Sequence, residues 1–156
     1  DYLADAFELI KNYSSNPIED QIRLWDLCIF NYLIGNTDNH VKNIALLYSE
    51  DLKGIRLAPA YDLLSTVIYD SSTEKMSLNI DDIRNINQKS FENEAKKLGL
   101  GKGIATQHFL SMVEKFEMAL EQSTYELEEQ GYGVAVDIQK QILKKAGIHN
   151  FKLTNS

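Results

Sequence analysis

The chain has 156 residues, the length of one domain, and its 44% hydrophobic and 25% charged residues are ordinary for a globular protein. The net charge of −7 argues against a nucleic-acid-binding face, which would need a surplus of lysine and arginine. No stretch approaches the roughly 20 apolar residues of a membrane-spanning helix, and the single cysteine, Cys28, excludes an internal disulfide and makes a reducing, cytoplasmic compartment the simplest expectation.

Two helices are predicted at the start of the chain. Over residues 2–13 apolar side chains recur at i, i+4 and i+7, as Leu3, Phe7 and Ile10. Asn16 is the predicted N-cap of a second helix, because Pro17 suits a first helical turn. This helix becomes apolar almost all round toward Ile34, which is typical of a buried helix, and Gly35 fits a left-handed C-terminal end.

A short β-hairpin is predicted after a polar loop. The apolar run 44–48 returns through the turn 49–54 to a second strand at 55–57, which Pro59 keeps short. Residues 63–69 are apolar and fit either a helix or a strand. Further along, apolar residues alternate with polar ones, which predicts one more, exposed strand: Met76, Leu78 and Ile80.

The remainder of the chain is predicted to be helical. Ser90 is the predicted N-cap of a helix over 91–98, and a long helix is expected to run from Thr106 to Gln130, followed by a last helix over 134–146. The glycine-rich connector 99–103 lacks the spacing and the preceding strand of a phosphate-binding loop. The side chains of the long helix that are predicted to face inward are Phe109, Val113, Phe116, Leu120 and Leu127.

These elements predict a mainly α (α+β) fold. We expect one helical domain over residues 1–150 that carries the short hairpin, and a frayed tail over 151–156.

The polar residues around the predicted hairpin suit phosphoryl transfer. Asp38 and Asn43 have the spacing of the Asp and Asn in the protein-kinase catalytic loop. Asp38 fits the carboxylate that orients the acceptor hydroxyl, and Asn43 and Asp62 fit two oxygen ligands of Mg²⁺. Lys42 is a candidate for balancing charge at the transferred phosphate, and His40 is expected to hold the shape of the loop.

Simpler interpretations of the same residues stay open. Asp38 and the asparagines around it are common turn formers after a helix. Asp62 is also suited to cap a helix that begins at Leu63. A hydrolytic metal site formed by Asp38, His40 and Asp62 is a further alternative, although the other two histidines show no ligand spacing.

At these residues the sequence resembles the C-terminal lobe of the HipA-like serine/threonine kinases, the toxin kinases of bacterial toxin–antitoxin pairs. The family pattern Asn-x-Asp-x-His-x-x-Asn followed by Leu-x-Pro-x-Tyr-Asp is matched by residues 36–43 and 57–62. The similarity covers most of residues 25–100 and is weaker at both ends.

The resemblance implies a role for each matching residue. Asp38 would be the catalytic aspartate, Asn43 and Asp62 the Mg²⁺ ligands, and His40 and Lys42 supporting residues of the loop. ATP would be the phosphate donor, a protein serine or threonine the acceptor, and a small DNA-binding antitoxin one of the partners. The architecture is also similar to phosphatidylinositol kinases, so a lipid acceptor is the related alternative.

A kinase also needs an N-terminal lobe with a lysine that contacts the ATP phosphates. The residues before Asp38 offer two helices and no glycine-rich turn, and the chain begins at Asp1 without a methionine, as expected of a fragment. We therefore expect the chain alone to bind nucleotide weakly and to transfer little or no phosphate. The competing hypothesis is a non-catalytic module that binds a partner through the long helix from Thr106 to Gln130.

Overall fold

The computed structural model describes residues 2–38, 41–69 and 87–148. These residues form helices and one antiparallel hairpin, which confirms the predicted mainly α (α+β) class. In chain order the elements are α1 (Tyr2–Tyr13), α2 (Pro17–Ile34), β1 (Leu46–Tyr48), β2 (Ile55–Leu57), α3 (Gln88–Lys97), α4 (Lys102–Glu129) and α5 (Ala135–Lys145). Single 3₁₀ turns lie at Val41–Asn43 and Thr66–Ile68.

Helix α2 is the centre of the fold and is packed against α1 and α4. Its predicted ends are confirmed: the side chain of Asn16 accepts a hydrogen bond from the Glu19 N–H at 3.4 Å, and Gly35 is left-handed with φ +69°. A Cβ at Gly35 would also lie 2.5 Å from a methyl group of Val67. Toward Ile34 buried side chains lie on all sides of the helix, as its composition predicts: Cys28, Ile29, Asn31, Tyr32, Leu33 and Ile34.

Aromatic side chains join α2 to α3 and α4. Phe91 makes edge-to-face contacts with Trp25 and Tyr32, at centroid distances of 5.7 and 5.3 Å, and lies 4.6 Å from Phe109. The indole N–H of Trp25 donates to the carbonyl of Ala105 at 3.2 Å. Pairs of this kind add about 0.5–1.5 kcal/mol each beyond the burial of their area. The helix that leads to the polar loop is thus held from two sides.

A buried carboxylate attaches the hairpin to the start of α2. Asp20 is fully buried and accepts hydrogen bonds from Arg56 on β2, from the hydroxyl of Ser14 at 2.7 Å and from the backbone N–H of Leu57 at 2.8 Å. Burial by itself raises the pKa of Asp20, but the hydrogen bonds from Arg56, Ser14 and Leu57 have the larger, opposite effect. Together they lower the pKa to about 2. The carboxylate is therefore charged at neutral pH and fixes the hairpin on the helix.

The C-terminal helix α5 packs against α4 and against the 3₁₀ turn Thr66–Ile68. Directly after it, the N–H of Gly147 donates to the carbonyl of Tyr32 in α2 at 3.2 Å. A Cβ at position 147 would lie 2.5 Å from that oxygen, so only glycine fits this approach. Residues beyond α5 thereby touch the helix on which the polar loop is built.

Some predicted helix boundaries were wrong. Asn87, not Ser90, is the N-cap of α3, and Ser90 is the third helical residue, whose side chain completes a capping box with Asn87. Helix α4 begins at Lys102 rather than Thr106, and Lys102 forms an ion pair with Glu92 of α3 at 3.2 Å.

The inward face of α4 was predicted correctly except at its C-terminal end. Phe109 and Phe116 are buried, and Val113 and Leu120 pack against the core. Leu127 is 42% exposed, because α4 is about 42 Å long and extends past the core that its first half covers.

Two predictions lie outside the described residues, namely the strand at 76–80 and the tail at 151–156. The domain limits 1–150 stay a prediction as well. Within the described ranges, no helix is both long enough and apolar enough to cross a membrane.

Candidate functional site

The loop that follows α2 is organised by one buried side chain, Asn36, which is 1% exposed. Its Nδ2 donates to Oδ1 of Asn31 in the last turns of α2 at 2.8 Å and to the backbone carbonyl of Asp62 at 3.3 Å. Its Oδ1 accepts the backbone N–H of Asp38 at 3.1 Å. One buried amide therefore links the end of α2 to both of the candidate aspartates.

A hydroxyl from the segment after Asp62 closes the loop from the other side. Oγ1 of Thr66 accepts the N–H of Thr37 at 2.7 Å, lies 2.7 Å from the Thr37 hydroxyl, and donates to the carbonyl of Gly35 at 3.1 Å. The neighbouring hydroxyl of Ser65 donates to the carbonyl of Ile34 at 2.6 Å. The carbonyls of Ile34 and Gly35 at the C-terminal end of α2 thus accept hydrogen bonds from side-chain hydroxyls.

The two candidate metal ligands meet across this arrangement. Nδ2 of Asn43 donates to Oδ2 of Asp62 at 3.1 Å, although the residues are 19 positions apart. Beside them, the Tyr61 hydroxyl donates to the carbonyl of Lys42 at 2.8 Å, which holds the 3₁₀ turn Val41–Asn43 against the Asp62 segment. Residues from the two separate sequence motifs are therefore in direct contact in the structure.

Asp62 has a left-handed backbone with φ +57°, which is uncommon for any residue other than glycine. The alternative that it caps a helix starting at Leu63 is wrong, since the next helical turn begins at Thr66 after Ser65. Left-handed backbone in a non-glycine residue is enriched at functional sites. Here it brings the carboxylate to Asn43 while the carbonyl faces Asn36.

The side chains of Asp38, Lys42 and Asp62 are exposed and that of Asn43 is half-buried, so all four are accessible to a ligand. His40 lies outside the described residues. The described part of the site is therefore a set of solvent-accessible polar side chains on a backbone that buried hydrogen bonds fix, which is the arrangement a preorganised site needs.

The donor set suits a hard cation. Asn43 and Asp62 offer one amide and one carboxylate group, and Mg²⁺ takes one or two protein carboxylates and completes its octahedron with phosphate oxygens and water. In the described ranges no three residues among His, Cys, Asp and Glu are placed to hold a metal. Asn43 and Asp62 are thus the oxygen-bearing side chains that the described part of the site could offer to such a cation.

Several supporting residues were not identified from the sequence. Asn31 gave a usable signal, because a polar residue within a buried apolar helix must find a hydrogen-bond partner. Asp20 gave the same signal in weaker form, close to a helix start where aspartate is common. Ser65 and Thr66 gave none, because their partners are about 30 positions away.

The fold is similar to that of a solved protein. In the structure of the Shewanella oneidensis MR-1 toxin–antitoxin system with HipA, HipB and operator DNA, a matching chain has a TM-score of 0.76 and 21% identity. The match covers 91% of this chain and 34% of that one. At this identity the likeness establishes the fold.

Two proteins of Sinorhizobium fredii strain NGR234 are similar in sequence. The one named "Putative kinase Y4mE" is 34% identical over 113 residues, which is 70% of this chain and 26% of that protein. The one named "Putative kinase Y4dM" is 47% identical over 51 residues, 33% of this chain and 12% of that protein. The chain thus spans about a quarter or less of the curated relatives it matches.

The sequence model of the HipA-like C-terminal domain matches residues 1–122. The chain therefore belongs to the HipA-like C-terminal domain family, and the resemblance inferred from the two motifs is confirmed.

Proposed function

We propose that the chain is the C-terminal catalytic lobe of an ATP- and Mg²⁺-dependent protein serine/threonine kinase of HipA type. The observation that supports this best is the direct hydrogen bond between Asn43 and Asp62, with Asp38 joined to the same segment through Asn36. Phosphoryl transfer depends on positioning and on charge neutralisation, and these residues provide for both. The kinase names of the relatives agree with the proposal.

The proposed reaction assigns one role to each side chain. The acceptor hydroxyl oxygen forms a bond to the γ-phosphorus of ATP as the bond to the β-bridging oxygen breaks and ADP leaves. Asp38 orients this hydroxyl and takes its proton. Asn43 and Asp62 would hold Mg²⁺, which would neutralise charge on the phosphate oxygens. Lys42 balances charge near the transferred phosphate, and His40 supports the loop.

The proposal requires partners beyond this chain. The match covers 34% of the solved HipA chain. We propose that a HipA-like protein contains, in addition to this lobe, an N-terminal lobe that binds ATP. The solved HipA is in a complex with HipB and operator DNA. We therefore include a small DNA-binding antitoxin among the proposed partners, along with a protein substrate, and expect no direct DNA contact from a chain of net charge −7.

Paramagnetic Mn²⁺, which takes the same oxygen ligands as Mg²⁺, tests the metal site even at weak affinity. Adding Mn²⁺ with ATP to the ¹⁵N-labelled chain should broaden amide signals near Asn43 and Asp62. Asp62→Asn should abolish this broadening, whereas Asp137→Asn, at an exposed aspartate of α5, should leave it unchanged. Broadening confined to the acidic surface at 126–129 would contradict the proposal, and no broadening would favour the partner-binding module.

Asp38 is tested by activity in the presence of an N-terminal lobe. With that lobe supplied by a HipA-like protein, Asp38→Asn should reduce phosphate transfer at least about a hundredfold, the lower range for a positioned acid–base group. Circular dichroism should show an unchanged fold, since Asp38 is exposed. Retained transfer would remove Asp38 from its proposed role.

A further inference from the structure

The 3₁₀ turn Thr66–Ile68 holds the short backbone segment that leads from α2 to Asp38. Oγ1 of Thr66 accepts the N–H of Thr37, the residue directly before Asp38, at 2.7 Å. The same hydroxyl donates to the carbonyl of Gly35, at which α2 ends, at 3.1 Å. Two backbone groups between the end of α2 and Asp38 therefore depend on one side chain.

The next residue of the turn, Val67, lies directly against Gly35. Its N–H donates to the Gly35 carbonyl at 3.2 Å. A Cβ added at Gly35 would lie 2.5 Å from a methyl group of Val67 and 3.2 Å from the Cβ of Ala146. Ala146 follows α5 directly and is 1% exposed. The end of α2 is thus enclosed by the turn on one hand and by the end of α5 on the other.

One carbonyl of α2 connects the two. The oxygen of Tyr32 accepts the N–H of Gly35 at 3.1 Å and the N–H of Gly147 at 3.2 Å. The carbonyl that closes the last turn of α2 is therefore also the attachment point of the chain after α5. A change in the path of the chain at Gly147 alters the surroundings of this carbonyl and of the turn that packs on α5.

Asp38 depends on this support because its side chain is exposed. Where an exposed carboxylate lies is determined chiefly by the backbone that carries it, here residues 35–38. A misplacement of about 1 Å in a group that orients a substrate can lower the rate of a reaction about a hundredfold. Contacts that fix this backbone therefore bear directly on the proposed reaction.

We propose that Thr66 and Val67 are positioning residues for the proposed phosphoryl transfer, and that residues 146–147 after α5 hold them against the polar loop. Both act through the backbone of Thr37 and Asp38 and contact neither substrate nor metal. The catalytic part of this inference rests on the proposed kinase function. The physical link from the end of α5 to Thr37 does not.

Two glycines that flank α5 test the link in the isolated chain. Gly147→Ala places a Cβ 2.5 Å from the Tyr32 oxygen, whereas a Cβ at Gly133 meets no atom within 4 Å. Gly147→Ala should speed amide hydrogen exchange at Thr37 about tenfold relative to that at Ala95 of α3, as expected for the loss of one hydrogen bond. Gly133→Ala should leave this ratio unchanged. Equal acceleration at both amides, or none at Thr37, would overturn the link.

A pair of valines makes the same measurement without a new clash. Val67 and Val113 are both partly buried and packed against the core, but only Val67 lies beside Gly35. Val67→Ala should raise the exchange ratio of Thr37 to Ala95, and Val113→Ala should not, even where urea unfolding shows a similar loss of stability. An equal rise in both variants would show that the turn gives no specific support. This pair decides the question if Gly147→Ala does not fold.

Activity tests the catalytic part, with an N-terminal lobe supplied by a HipA-like protein. Val67→Ala and Thr66→Val should lower kcat about tenfold or more, and the KM for ATP should change far less, because the displaced group orients the acceptor. Thr66→Ser, which keeps the hydroxyl, and Val113→Ala should retain kcat. Unchanged kcat in Val67→Ala would refute the positioning role.

The two proposals fail in different ways. If the unmodified protein with this lobe transfers no phosphate, the proposed kinase function fails, and the catalytic role of the turn fails with it. The exchange ratios still decide whether the end of α5 controls the polar loop. If phosphate is transferred equally well by all of these variants, the kinase function stands and the positioning role is refuted.

Discussion

The side-chain amide of Asn36 donates to the backbone carbonyl of Asp62, 26 positions further along the chain, at 3.3 Å. The same amide group accepts the N–H of Asp38 through its oxygen. The proposed acceptor side and the proposed metal side of the site therefore share one buried support. A displacement of Asn36 would therefore disturb both sides together.

Asn36→Ala should destabilise the chain by about 2–3 kcal/mol, because the buried side-chain oxygen of Asn31 and the part-buried N–H of Asp38 both lose their hydrogen bonds to the Asn36 amide. Urea unfolding monitored by circular dichroism measures this change. Asn87→Ala, at the exposed N-cap of α3, is the matched control and should cost about 1 kcal/mol. Equal costs would show that the buried amide has no special role.

Thr66→Val should free the N–H of Thr37, because valine keeps the shape of threonine but cannot accept a hydrogen bond. We expect a loss of about 1–2 kcal/mol in the free energy of unfolding and faster amide hydrogen exchange at Thr37. Thr66→Ser retains the hydroxyl and should preserve most of the protection. Unchanged exchange in Thr66→Val would contradict the observed contact.

Asp62→Gly should be more stable than Asp62→Ala by about 1 kcal/mol, because alanine at φ +57° pays the steric cost of left-handed backbone and glycine does not. Thermal unfolding of the two variants gives the difference. Both variants lack the carboxylate, so both should lose the Mn²⁺-dependent broadening near Asn43. If alanine is tolerated as well as glycine, the left-handed conformation at this position is not maintained.

The Asp20–Arg56 pair should make stability depend on pH in the acid range. The pKa of Asp20 is lowered from 3.8 to about 2, so the unfolded chain takes up this proton at higher pH than the folded one. The contribution to stability is thus complete above about pH 4 and is lost as pH falls through about 2. Arg56→Met should raise the pKa of Asp20 and shift acid unfolding to higher pH.

Acid titration followed by tryptophan fluorescence measures that shift. Trp25 is a buried residue of α2, the helix that also carries Asp20, so its fluorescence reports the unfolding of this helix. Lys140→Met removes one positive charge from an exposed site on α5 and is the control. Identical acid midpoints for Arg56→Met and Lys140→Met would argue against the pair as the cause.

Local signals predicted much of the fold. The sequence correctly predicted the ends of α2, at Asn16 and Gly35, and the pairing of the two hairpin strands. Each of these features depends on residues that are close in the sequence. The start of α4 was misplaced because an ion pair with α3, rather than a side-chain cap, accompanies its first turn. Such a contact is set by tertiary structure and leaves no periodic pattern in the sequence.

The sequence identified the chemically competent residues of the site, but it did not identify the hydrogen bonds that hold the loop in place. Asp38, Asn43 and Asp62 could be chosen by residue type and spacing, and the structure brings Asn43 and Asp62 into contact. Their catalytic and metal-binding roles stay predictions. The pairing of Thr66 with Thr37 and Gly35 depends on how the chain returns after the hairpin, which spacing alone does not specify.

The close approach of Gly147 to Tyr32 bears on where this domain ends. The family match stops at residue 122, inside α4, yet Ala146 and Ile148 are buried in the same core as α2. A shortened protein cut at that limit would uncover Tyr32 and leave the Thr66–Ile68 turn without the helix packed on it. Helix α5 and the residues that follow it therefore complete the folded core, although the family match does not cover them. A shortened protein made for experiments on this lobe should retain them.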